Sequence, residues 1–157
     1  MPCTYIIVTL NIHGISSTAR MGMLEGFLQT HDIDIALLQE VTHANFSAIR
    51  RYTACVKEGT ERRRKAILAE EGLTLSNIQR LPSRMGISAT YSSIRVINIH
   101  ASSGADRKAE RESFYNKDTM HLLPLTRTEL ILAGEFNCVI SNDDCTGQRS
   151  RSRALND

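Results

Sequence analysis

The chain has 157 residues with 41% hydrophobic content, enough to bury one core and too short for two ordinary domains. It holds no apolar run of 18 residues, which excludes an ordinary transmembrane helix, and its start, MPCTYIIVTLNIHG, has neither the basic segment nor the long apolar stretch of a secretory signal. The net charge of +2 conceals −3 over residues 1–49, +6 over 50–95 and −1 over 96–157, a basic middle that either attracts a polyanion or forms a solvated face.

Apolar, β-branched runs that stop abruptly in polar residues predict four strands, at Thr4–Asn11, Ile33–Glu40, Arg95–His100 and Glu129–Asn137. Their hydrophobicity is nearly continuous, as in strands covered on both faces. Between the first two, Met21, Leu24 and Leu28 recur at helical spacing, which predicts a helix over Arg20–Gln29 with Ser16, Ser17 or Thr18 as its cap and Gly22 and Gly26 as weak points. Ser92–Ser93 reads as a turn joining antiparallel strands Gly86–Tyr91 and Ile94–His100. A second helix is expected over Ala105–Leu123, stopped by Pro124. The stretch after Asn142 is poor in apolar residues and reads as a tail or loop over 143–157 of a single mixed α/β domain spanning 1–157. Cys3, Cys55, Cys138 and Cys145 are scattered without zinc-finger spacing, the pattern of reduced thiols in an intracellular protein of nucleus or cytoplasm, not secreted and without a membrane partner.

Each strong strand ends in a residue able to bind metal, polarise water or contact phosphate: Asn11, Glu40, His100, and the pair Glu135 and Asn137. In open α/β sheets, sites collect where strands feed into loops, because the strand fixes the side chain and the loop leaves it accessible. Oxygen donors converging there suit a hard cation such as Mg²⁺. Polar capping of strands is the commoner explanation of any one of these positions alone, and it is their recurrence at four strand ends that points to a site. Glu40 follows the buried run IALLQ, where a carboxylate needs either a metal or an arginine to offset its desolvation.

The order TLN (Thr9–Asn11), LLQE (Leu37–Glu40), VINIH (Val96–His100) and GEFN (Gly134–Asn137) resembles the endonuclease/exonuclease/phosphatase superfamily. The longer stretches NIHGISS, DIALLQEVTH, ASSGADRKAERESFYNKD and LILAGEFNCVIS are similar to the apurinic-type endonuclease of arthropod non-LTR retrotransposon polyproteins. That resemblance implies a four-layered α/β sandwich, here lacking its C-terminal strands. It implies an Mg²⁺-dependent enzyme, with Mn²⁺ as a substitute, that nicks DNA and leaves a 3′-hydroxyl to prime a reverse transcriptase domain of the same polyprotein. Glu40 matches the family's principal metal ligand, and Asn11 the Asn that helps order metal and phosphate. Glu135 stands where the family has the water-orienting Asp of Gly-Asp-Phe-Asn, and Asn137 matches the Asn that supports the transition state. His100 occupies the place of a Tyr and Ser102 that of a Pro, while Arg64 and Lys65 replace small residues before the strand AIL.

The family's C-terminal Ser-Asp-His motif has no counterpart before Asp157. Two readings of function therefore stand: a phosphodiester hydrolase of reduced activity, or a non-catalytic remnant of a retroelement with weak nucleic-acid binding. In either, Arg62, Arg63, Arg64 and Lys65 are the expected phosphate contacts on DNA.

Overall fold

A computed structural model describes residues 4–15, 17–41, 46–57, 64–118 and 129–138. Eight strands run in chain order: β1 Ile7–Asn11, β2 Ile35–Gln39, β3 Tyr52–Lys57, β4 Lys65–Glu70, β5 Ser76–Arg80, β6 Gly86–Tyr91, β7 Ile94–His100 and β8 Glu129–Glu135. They form two four-stranded sheets, ordered β1-β2-β4-β3 and β5-β6-β7-β8. The first contains the parallel pair β1 and β2, the second the parallel pair β7 and β8, and the remaining neighbours are antiparallel.

Alternation along the strands decides what each sheet buries. Ile35, Leu37 and Ile67 of the first sheet meet Ile87, Ala89 and Val96 of the second in the core between the sheets. The opposite side chains of the first sheet, Ala36, Leu38, Ala66 and Leu68, pack on Met21, Leu24 and Leu28 of helix α1, Thr18–Thr30. Ile97 and Ile99 cover the far side of the second sheet together with Phe114, at the end of the short helix α2, Lys108–Ser113. The result is four layers, helix, sheet, sheet, helix, in which the central strands β2, β4 and β7 are buried while β1 and β8, at the sheet edges, are half-buried.

The first helix meets its expectation in detail. Ser17 is the cap, its hydroxyl accepting from the Arg20 backbone N–H, and the three expected apolar residues are the buried ones. The second differs. A 3₁₀ turn at Ala105–Arg107 leads into α2, which widens into a π-helical turn over Phe114–Asp118. Arg111 is buried there, donating to the carbonyls of Ser102 and Gly104. The π turn sets Tyr115 against Phe136 with their rings stacked. The rest of that expected helix, and the tail after Asn142, lie outside the described residues. Among the described residues, no helix is long and apolar enough to cross a membrane.

A polar clasp crosses the inter-sheet core just below the strand ends. Asn98 Nδ2 donates to the carbonyls of Leu38 and Ala66 at 2.8 and 2.9 Å, and Gln39 Nε2 donates to Asn98 Oδ1 at 2.6 Å. Asn98 is fully buried and Gln39 is 1% exposed, so every bond lost there strands a polar group away from water. Asn98→Leu is expected to lower stability by about 3 kcal/mol in urea unfolding, because two buried carbonyls lose a donor at about 1–3 kcal/mol each.

Candidate active site

The parallel pairs point the C-terminal ends of β1, β2, β7 and β8 toward one edge of the sandwich. On β7, Val96, Asn98 and His100 alternate onto the inter-sheet face, and on β8 Ile131, Ala133 and Glu135 do the same. His100 and Glu135 are register partners. Asn11, paired with Gln39 at the end of β1, comes from the facing sheet.

Glu40 reaches this cluster by leaving the strand. Continued alternation would send it to the α1 side with Ala36 and Leu38. Its φ of +54° instead places it in the left-handed region, a conformation costing a non-glycine residue roughly 1–2 kcal/mol. The turn is held by Gly14 N donating to the Glu40 carbonyl and Val41 N donating to the Arg64 carbonyl. Non-glycine residues kept in this region against their preference cluster at functional sites.

Asn11 Nδ2 donates to Glu40 Oε1 at 3.3 Å and to Glu135 Oε2. Its Oδ1 accepts from His13 N. In this orientation Asn11 serves the carboxylates as a donor, and the metal-ligand role expected of it would require its oxygen. His100 Nε2 lies 3.8 Å from Glu40 Oε1 and 3.6 Å from Glu135 Oε2, with its side chain 9% exposed against 32% for each carboxylate. One ligand atom from each of Glu40, His100 and Glu135 lies within 4.8 Å of the others, a group able to hold a divalent cation.

Asn137 follows two residues after Glu135 with φ +50°, and its Nδ2 donates to the Ala101 carbonyl at 2.7 Å. That bond ties the end of β8 to the residue after His100. Gly134 lets two strands approach closely. At φ +134°, a Cβ there would stand 2.0 Å from the Ile99 carbonyl oxygen.

His13 was not among the expected residues. Its Nδ1 lies 3.2 Å from Glu40 Oε2, on the far side of the carboxylate from His100. The only sequence sign was its place two residues after Asn11, where an Asn side chain commonly caps the backbone.

The basic run divides. Arg62 and Arg63 lie outside the described residues, and Arg64 is half-buried at the entry to β4. Lys65 is corrected as an exposed phosphate contact. It shares the inward face of β4 with Ile67, is 3% exposed, and donates from Nζ to the Arg84 carbonyl. A buried ammonium is held by acceptors of this kind.

Two phenols beside these elements are held protonated. Burial, then the Glu70 charge, raises the pKa of Tyr52, whose hydroxyl donates to the carbonyls of Ile33 and Leu28. Burial, then the charge and hydrogen bond of Cys138, raises that of Tyr115, which donates to the Phe136 carbonyl. A pKa higher in the folded chain than in the unfolded one adds stability that is complete below the ordinary tyrosine value of about 10 and is lost as pH rises toward the folded values. The urea midpoint is therefore expected to hold through about pH 9.5 and fall above it. The fall should be shallower in Tyr115→Phe and in Tyr52→Phe.

No family model and no curated protein sequence matches the chain. Solved structures do. An AP endonuclease from Archaeoglobus fulgidus is similar at a TM-score of 0.70 and 17% identity, covering 92% of this chain and 62% of the other. The 3′-5′ exonuclease NExo from Neisseria meningitidis is similar at 0.70 and 20%, covering 88% and 60%. D. rerio TDP2, complexed with single strand DNA product, is similar at 0.67 and 15%, covering 85% and 60%. The chain thus spans about three-fifths of the length of these three neighbours. The two facing mixed sheets with their helices and these likenesses together place the chain in the α/β fold of the endonuclease/exonuclease/phosphatase type.

Proposed function

We propose that the chain hydrolyses phosphodiester bonds in DNA, with a divalent cation held at the Glu40 end of the cluster. The observation that carries this reading is the meeting of Asn11, Glu40, His100 and Glu135 at one sheet edge. It is supported by the endonuclease and the exonuclease that share its fold. Mg²⁺, with Mn²⁺ in its place, is the ion that the sequence resemblance assigns, and when bound it supplies Lewis-acid stabilisation of charge on a phosphoryl oxygen. Glu135 accepts a proton from the attacking water, and Asn137, braced on Ala101, holds the β8 end in place. Arg62, Arg63 and Arg64 contact DNA phosphates, a sequence-indifferent attraction that weakens with salt. The resemblance to retrotransposon endonucleases further assigns a nick with a 3′-hydroxyl, used by a reverse transcriptase domain of the same polyprotein.

A specific observation favours the second reading, a non-catalytic remnant. Glu135, one methylene longer than the Asp of the resembled motif, takes the Asn11 amide directly. The test is nicking of supercoiled plasmid with and without Mg²⁺, followed by polymerase extension from the nick. Cation-dependent, extendable nicks support the hydrolase. Their absence from the parent chain, together with their appearance in Glu135→Asp with His100→Tyr, identifies a remnant.

A further inference from the structure

The spacing of the donor atoms goes one step beyond the hydrolase reading and rests on it. His100 Nε2 stands 3.8 Å from Glu40 Oε1 and 3.6 Å from Glu135 Oε2. Both separations exceed hydrogen-bond length, so neither carboxylate accepts a proton from this nitrogen. Ligands about 2.0–2.2 Å from a four-coordinate ion lie roughly 3.3–3.6 Å apart, set by the tetrahedral angle. Adjacent ligands of octahedral Mg²⁺, at about 2.0–2.1 Å, lie roughly 2.8–3.0 Å apart. The two separations from the His100 nitrogen lie nearer the first range than the second, and the three ligand atoms all fall within 4.8 Å of one another.

Donor chemistry agrees. Imidazole nitrogen suits zinc, iron, copper and nickel, whereas Mg²⁺ takes oxygen. One imidazole with two carboxylates leaves a fourth position open, the arrangement of three protein ligands found in catalytic zinc sites. Charge points the same way, since Asn11 Nδ2 draws Glu40 Oε1 and Glu135 Oε2 toward one point, where two negative charges call for a cation. His13 Nδ1, 3.2 Å from Glu40 Oε2, occupies the other oxygen and leaves Oε1 facing His100.

We propose that Glu40, His100 and Glu135 form a four-coordinate site for a zinc-class cation, held in preference to Mg²⁺ because of the His100 nitrogen. Co²⁺ reports its coordination number through its visible absorption, so the full chain is titrated with Co²⁺ and the ion then displaced with Zn²⁺ or Mg²⁺. A strong four-coordinate visible band is expected, removed by stoichiometric Zn²⁺ and retained in about 1,000-fold excess Mg²⁺. His100→Gln should lower Zn²⁺ affinity by about 100-fold or more and Mg²⁺ affinity by less than about 3-fold, since loss even of a supporting contact costs about 10–100-fold. Glu135→Gln, at a half-exposed position, makes the same comparison without disturbing the buried ring. Circular dichroism confirms that each variant is folded.

A weak six-coordinate spectrum, a thiolate-to-Co²⁺ charge-transfer band, or unchanged Zn²⁺ affinity in a folded variant would overturn the proposal. Mg²⁺-dependent nicking alongside any of those results leaves the hydrolase reading standing alone. A four-coordinate spectrum lost in the variants, from a chain that nicks DNA with no cation, leaves the metal site standing alone.

Discussion

Gly134→Ala is expected to lose roughly 4 kcal/mol or more of stability, a large share of the roughly 5–15 kcal/mol by which domains of this size are held folded. The added methyl would lie 2.0 Å from the Ile99 carbonyl oxygen and 2.7 Å from the Ile99 nitrogen, on backbone that φ +134° already makes unfavourable for any side chain. Ile99 cannot give way. It belongs to β7, which is paired on both sides, with β6 and with β8, so relief means parting β8 from its neighbour. Parting them separates His100 from Glu135, the register pair at the site. Gly26→Ala is the control, because nothing lies within 4 Å of the point its methyl would occupy and an added methyl on a helix interior gains roughly 0.5–1 kcal/mol. Urea unfolding of the two variants beside the parent checks both signs, and a Gly134→Ala midpoint equal to the parent's would refute the close approach of β7 and β8.

Glu40→Gly is expected to separate stability from chemistry. The left-handed φ of Glu40 costs roughly 1–2 kcal/mol that glycine does not incur, so the variant should unfold at higher urea by about 1 kcal/mol. Nicking should fall by at least about 10²–10³-fold, the loss typical of removing one preorganised charge-stabilising group. Glu40→Ala should show the same loss of rate without the gain in stability, because alanine shares the conformational cost. Rate and stability moving together in both variants would mean that Glu40 is a structural residue.

The strand ends were legible because strands in parallel pairs announce themselves as nearly unbroken apolar runs, and four such runs each close in a residue able to bind metal or contact phosphate. Asn11, Glu40, His100 and Glu135 were all found on that ground. The helix α1 was legible through Met21, Leu24 and Leu28. Strand β5, SNIQR, carries a single half-buried apolar residue, Ile78, at the edge of its sheet, and edge strands of that kind have no periodic signal. Lys65 misled because a charge run suggests a surface, while alternation along β4 turned this one inward to a carbonyl acceptor. Gly134 in GEFN is explained only by the partner strand, since the close approach of Ile99 has no mark in the local sequence. His13 was missed for a different reason, since its role arises from a carboxylate 27 residues later that leaves its strand by an unusual φ.

The site also has an order of assembly. Asn11 meets Glu40 across 29 residues but meets Glu135 across 124, and pairings this distant in sequence are slow to form because a long loop must close first. At about 5–20 residues per second of synthesis, β1 waits roughly 6–25 seconds for its partner carboxylate. A nascent chain still joined to the ribosome, and so to the RNA being read, therefore carries no complete cluster until β8 has emerged and paired.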